Sequence, residues 1–182
     1  MSGESILISI ITVVDNYTKF VNGFFLNIKE LIDEPLIHQI IIFNNCCEDL
    51  AIYELFKILD GFKKVHTDHS MKKYDLCDLK FDICKQSESI HIFYLDQNIR
   101  LNCLHFLIEL YIEWALKDDT GVFYIEEKEA HKYFQAKSIK KEKFFLAINK
   151  NRVTPTNFAI NFLNIEARKV MQHLKEEEIS KK

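Results

Sequence analysis

Short, nearly continuous apolar runs alternate along the chain with longer segments in which apolar residues recur at helical spacing. Ile6 to Val14 is an almost unbroken, β-branched run, the signature of a strand buried on both faces of a parallel sheet. Asp15-Asn16 breaks it and can cap the next helix. Phe20, Phe24, Ile28 and Leu31 then fall at helical spacing, and Pro35 closes that helix. Ile37 to Phe43 repeats the buried-strand pattern and ends in Asn44-Asn45. Asp49 to Leu59 reads as a helix ended by Gly61, and Lys63 to His66 as a short third strand. Residues 67 to 88 are polar and mixed, punctuated by Asp75, Asp78 and Asp82, and predict a loop with no more than one helical turn. Ser89 to Leu95 is a strong strand that Asp96-Gln97-Asn98 ends. Leu101 to Leu116 reads as an apolar helix, Asp118 to Gly121 as a turn, Val122 to Ile125 as a strand and Glu126 to Phe134 as a helix. Phe144 to Ile148 and Asn157 to Phe162 read as two further strands, joined around Pro155. Asn164 caps a last helix, Ile165 to Leu174, before a charged tail that frays.

Strands that alternate with helices predict an α/β domain: a mainly parallel sheet with helices on both faces. The 182 residues suit a single domain, and 48% hydrophobic against 28% charged residues give it a sizeable core. The formal net charge is −3, and the nearest basic cluster, Lys137, Lys140, Lys141 and Lys143, is broken by Ser138, Ile139 and Glu142. No nucleic-acid partner is expected from that balance. The five cysteines are odd in number and form no Cys-x-x-Cys, and His66 and His69 lack a partner pair, so neither disulfides nor structural zinc are expected. A reducing, cytoplasmic setting fits that usage. No basic leader region opens the chain, and no apolar run is long enough to span a bilayer, so any membrane contact is expected to be peripheral or through a partner. Only four glycines are present, in neither a Walker loop nor a Gly-x-Gly-x-x-Gly turn, which disfavours P-loop and dinucleotide chemistry.

Ligands of open parallel sheets bind beyond the carboxyl ends of the strands. Three predicted strand ends carry short polar residues: Asp15-Asn16, Asn44-Asn45 and Asp96-Gln97-Asn98. Such residues also terminate strands and cap helices, so each alone reads as structural. Together, on one edge, they mark a candidate ligand site.

Their order resembles the family-2 glycosyltransferases of the GT-A fold. That family opens with an Ile-Pro-Val-Tyr-Asn-like strand end, here Ile11-Thr12-Val13-Val14-Asp15-Asn16. Its second strand ends in Val-Asp-Asp-Gly-Ser-x-Asp, here Phe43-Asn44-Asn45-Cys46-Cys47-Glu48-Asp49. Its metal motif, Leu-Asp-x-Asp, is here Leu95-Asp96-Gln97-Asn98. The resemblance covers residues 6 to 101. It implies a nucleotide-sugar-binding half, 1–101, a smaller acceptor-side half, 102–175, and a frayed tail, 176–182.

By the same resemblance, Thr12, Val13, Asp15 and Asn16 cradle base and ribose, Asn44 or Asn45 holds the nucleoside, and Asp68 is a looser candidate for the base. Asp96 and Asn98 bind Mn²⁺ or Mg²⁺. A sugar that leaves its nucleoside diphosphate does so against growing negative charge, which a hard cation on oxygen ligands neutralises. An inverting transfer also needs a base for the acceptor hydroxyl. Glu126 and Glu127, with Glu129, come after the next strand and are the candidates, although acids at a helix start are also favoured by its dipole. His131 reads as a surface residue. The chain departs from the family at three places: two asparagines and a cysteine replace Asp-Asp-Gly, Asn98 replaces an acid, and residues 71 to 88 replace the Asn/Gly-rich stretch before the metal motif. The implied function is transfer of a sugar from a nucleotide-diphosphate sugar to a hydroxyl of a glycan, lipid-linked or protein acceptor. The alternatives are an inactive GT-A-like domain that binds a nucleotide or partner, and an unrelated α/β interaction module with some of its 15 Phe and 7 Tyr exposed and used for assembly.

Overall fold

The computed structural model describes residues 6–117, 122–126, 134–135 and 143–149. Four parallel strands, β1 (Ile8–Val14), β2 (Ile37–Asn45), β3 (Val65–Ser70) and β4 (His91–Tyr94), form most of the main sheet. Beyond β4 lie β8 (Lys143–Asn149) and β6 (Val122–Glu126), and the order is β3-β2-β1-β4-β8-β6. Because β8 is antiparallel to both neighbours, β6 points the same way as β4. A separate two-stranded ribbon pairs β5 (Arg100–Leu101) with β7 (Phe134–Gln135).

The helices explain why β1 is buried along its whole length. α1 (Tyr17–Asn22), a 3-10 helix (Phe24–Asn27), α2 (Ile28–Asp33), α3 (Leu50–Leu59) and α5 (Leu104–Lys117) cover one face, where Ile10, Val14, Ile40 and Ile42 meet Phe20, Phe24, Leu31 and Phe56. α4 (Leu76–Gln86) covers the other, with Leu79, Ile83 and Cys84 against Ile11, Val13 and Ile41. Side chains on alternate positions of one strand therefore enter two separate cores. Each fully buried Ile, Leu or Phe contributes about 1.5–3 kcal/mol to that arrangement. Tyr111 of α5 is fully buried against Phe93 and Phe123, and its hydroxyl lies 2.8 Å from His91 Nδ1 and donates to the Ile148 carbonyl at 3.3 Å. That pair of bonds ties α5 to β4 and β8.

The sheet and its two helical faces match the pattern of apolar runs, and four local expectations are corrected. The polar stretch after residue 66 continues β3 to Ser70, because β3 is an edge strand with half-exposed faces. The amides of Thr67 and His69 bond the Asp60 and Asp68 carboxylates instead of a further strand. The expected loop at 71–88 contains α4, whose sequence mixes apolar with charged residues so that no helical spacing stands out. The single helix expected after β1 breaks at Gly23. A Cβ there would lie 2.5 Å from the Gln97 carbonyl oxygen and the Asn98 carbonyl carbon. Glu126 ends β6 and Phe134 belongs to β7, so neither is helical, and residues 127–133 between them lie outside the described residues, as do the expected strand 157–162 and helix 165–174. No helix among the described residues is long and apolar enough to cross a membrane.

Candidate functional site

Parallel strands deliver their carboxyl ends to one edge of the sheet. Val14 lies opposite Asn44, Asn44 opposite His69, and Ile11 opposite Tyr94. Asp15-Asn16, Asn44-Asn45, Asp68 and Asp96-Gln97-Asn98 consequently form one polar row. Tyr94 also lies opposite Leu146, which lies opposite Tyr124. Glu126 ends β6, past a register shift between Ile125 and Glu126, and is separated from β4 by β8. Glu127, Glu129 and His131 lie outside the described residues.

The turn after β4 is built on its own side chains. Asp96 is half-buried, and its Oδ1 accepts from the Asn98 amide at 3.0 Å and from Asn98 Nδ2 at 2.7 Å. Asn98 is exposed. Gln97, between them, is 7% exposed and points inward. Its Oε1 accepts from the backbone amides of Asp15 and Asn16, both at 3.1 Å, and its Nε2 donates to Asp15 Oδ1. The Gln97 carbonyl accepts from the Phe24 amide at 3.0 Å, where Gly23 lets the two backbones touch. Buried Asn27 donates to the Ile99 carbonyl and accepts from the Leu101 amide, both at 2.9 Å. Glu30 accepts from the Leu104 amide at 3.0 Å, satisfying a free donor at the start of α5. The segment between β1 and β2 thus fastens the loop 97–104 along its length.

The end of β2 uses its polar side chains differently. Asn44 is fully buried, and its Oδ1 accepts from the Cys47 amide at 2.7 Å. Asn45, 1% exposed, bonds both sides of one residue: it accepts from the Tyr74 amide at 2.8 Å and donates to the Tyr74 carbonyl at 3.1 Å. A carboxylate at 45 could accept the first bond but would set an oxygen against the carbonyl in the second. Cys46 adopts φ 61, the left-handed region, which costs a side-chain-bearing residue roughly 1–2 kcal/mol. The backbone therefore keeps a conformation suited to glycine where the sequence has cysteine.

The remaining sequence candidates divide by exposure. Asn16 is exposed and caps α1 by accepting from the Lys19 amide at 2.9 Å. Asp68 is exposed at the end of β3, with Oδ1 on its neighbour's amide. Thr12 and Val13 are buried in β1, and the Thr12 hydroxyl has no hydrogen-bond partner among the described residues. Gly23, Asn27, Glu30 and Gln97 carry roles that no local sequence pattern signals. The one signal available for Gly23 is its rarity, as one of four glycines.

Asp96 and Asn98 offer a carboxylate and an amide oxygen on adjacent side chains, a donor set that suits a hard cation shared with phosphate oxygens. No group of three or more acidic, His or Cys side chains among the described residues makes a protein-only metal cage.

No protein-family model and no curated protein matches the chain. Solved structures do match it. S. aureus TarS 1–349 aligns at 14% identity with a TM-score of 0.51, over 66% of this chain and 35% of that one. The complex of TarS with UDP-GlcNAc aligns at 11% identity and 0.51, over 66% and 34%. The mannosyltransferase PcManGT from Pyrobaculum calidifontis, in complex with GDP-Man and Mn²⁺, aligns at 9% identity and 0.56, over 79% of this chain and 44% of that one. The chain spans about a third of the TarS structures and less than half of the mannosyltransferase. Through these similarities, the chain has the α/β fold of glycosyltransferases.

Proposed function

We propose that the chain binds a nucleotide-diphosphate sugar along the polar row and transfers its sugar to an acceptor hydroxyl, with Mn²⁺ or Mg²⁺. The observation that carries this reading is the Asp96-Gln97-Asn98 turn: it is held rigidly from three sides, and it turns two oxygen-bearing side chains away from the core. Two of the similar structures hold UDP-GlcNAc, or GDP-Man with Mn²⁺, which supports the same ligand class here. In this reading the β1 turn, Thr12 to Asn16, contacts the nucleoside through backbone and exposed polar atoms. Asn44 and Asn45 shape the pocket wall, and Asp68 stands at the base end. Asp96 and Asn98 would hold the divalent cation, whose charge would offset that of the departing diphosphate. Glu126 or Glu127 accepts the proton of an acceptor hydroxyl from a glycan, lipid-linked or protein substrate. The setting proposed is cytoplasmic, alone or with a partner protein.

The test is release of UDP from UDP-GlcNAc and of GDP from GDP-Man, with and without Mn²⁺. The expected result is metal-dependent release that Asp96→Ala abolishes. A second reading, a nucleotide-binding domain without turnover, is favoured by Asn44 and Asn45, whose side chains bond the chain itself. Binding without release in either assay selects it.

A further inference from the structure

We propose that Gln97 is a positioning residue that couples nucleoside binding at the β1 turn to cation binding at the Asp96–Asn98 turn. The inference rests on the proposed site and adds to it a mechanism by which its two halves communicate. Three polar side chains come after β4, and they face different ways. Asp96 is half-buried and Asn98 exposed, whereas Gln97 is buried. Its carboxamide makes three bonds to one short segment: Oε1 to the amides of Asp15 and Asn16, Nε2 to the Asp15 carboxylate. The two segments are 81 to 82 residues apart in the chain. The Gln97 carboxamide is buried, so a shift that broke these bonds would strand its own polar atoms away from water.

The backbone of residue 97 is equally confined. Its carbonyl takes the Phe24 amide at 3.0 Å, and Gly23 packs on Gln97 and Asn98 at a distance that excludes even a methyl group. The turn therefore cannot shift as a unit without moving Asp15 and Asn16. A cation held by Asp96 and Asn98 would replace the bond between their side chains, on either side of Gln97, the residue that bonds the β1 turn. Coupling between two sites is reciprocal: whatever the cation adds to nucleoside affinity, the nucleoside adds to cation affinity.

A nucleoside diphosphate cannot test this, because its phosphates touch the cation directly. A nucleoside can, because it has no phosphate and every effect of the cation on it must pass through the protein. UDP and GDP are first titrated in the presence of Mg²⁺ to establish binding. Uridine and guanosine are then titrated against the full chain by ligand-observed NMR, with and without Mg²⁺. The expected result is that Mg²⁺ tightens the nucleoside whose diphosphate binds by about five-fold or more, the low end of measured site–site couplings. Gln97→Glu keeps an acceptor for the two amides but sets a carboxylate oxygen against Asp15, and should erase the effect. Gln97→Glu combined with Asp15→Asn restores a donor facing an acceptor, with the two roles exchanged, and should bring the effect back. A residue that only supported the fold would lower both affinities together and would not respond to the exchange. Diphosphate binding with nucleoside affinity unchanged by Mg²⁺, or no nucleoside binding at all, overturns the coupling and leaves the proposed site standing. No binding of either diphosphate overturns both.

Discussion

The ends of β2 and β4 look alike in sequence, each a strand with short polar residues after it, and the structure uses them in opposite ways. At β2 both asparagines turn inward and hold the chain: Asn44 makes the turn at Cys47, and Asn45 clamps Tyr74. At β4 Gln97 turns inward and ties the turn to β1, while Asp96 and Asn98 bond each other and stay on the more exposed side. The lesson is that a polar strand end becomes a site only when something else holds the backbone. Around β4 that work is done by Gly23, Phe24, Asn27 and Glu30. Around β2 the asparagines supply it themselves.

The largest effect should come from removing the external support of β4. Gly23→Ala puts a carbon 2.5 Å from backbone atoms that cannot swing aside, so we expect a loss of about 3 kcal/mol, at the upper end of overpacking costs. Chemical denaturation measures it. Full stability in this variant would mean that the close contact is not needed.

The sharpest comparison substitutes the same acid at both ends. Asn45→Asp loses the donor to the Tyr74 carbonyl and should cost about 1–3 kcal/mol, the penalty for a stranded buried polar group. Asn98→Asp is exposed and should change stability by less than about 1 kcal/mol, the range of exposed charge interactions. It should instead tighten Mn²⁺ binding on the order of ten-fold through a second carboxylate. Equal stability losses at the two positions would erase the distinction between the two ends. Calorimetry with Mn²⁺, alongside thermal denaturation, reads both quantities.

The smallest effect concerns Cys46. Replacing it with glycine relieves the left-handed conformation and should stabilise the chain by about 1 kcal/mol or less, because glycine's greater unfolded-state freedom offsets part of the gain. A destabilised Cys46→Gly would show that the thiol's contact with the Met71 carbonyl at 3.5 Å outweighs the backbone strain.

These contrasts also mark how far the sequence is legible without the structure. β1, β2 and β4 are legible because each is mostly apolar and largely buried on two faces, so the polar residues after them read as turns. β3 is not fully legible, since an edge strand reading Val-His-Thr-Asp-His-Ser needs only one apolar residue in the core. α4 is hidden because its sequence interleaves charged residues with apolar ones, although Leu79, Ile83 and Cys84 are buried against the sheet. Asp96 and Asn98 stand out from the local motif. Gln97, Asn27 and Glu30 do not, because their partners lie 72 to 82 residues away and no local spacing encodes such a pairing. Asn45 looks like a weakened acid in the sequence, and the reason for an amide there emerges only once Tyr74 is seen folded against it.

The central claim is that the turn after β4 carries a nucleotide diphosphate together with a cation. A thermal-denaturation series of the full chain with UDP or GDP, Mn²⁺, or both tests it directly. A ligand of the native state at a hundred times its dissociation constant adds about 2.7 kcal/mol. The predicted result is a rise in transition temperature with one nucleotide and Mn²⁺ together that exceeds the sum of the separate shifts and disappears in Asp96→Ala. No shift with either nucleotide, or the same shift in Asp96→Ala, would contradict it.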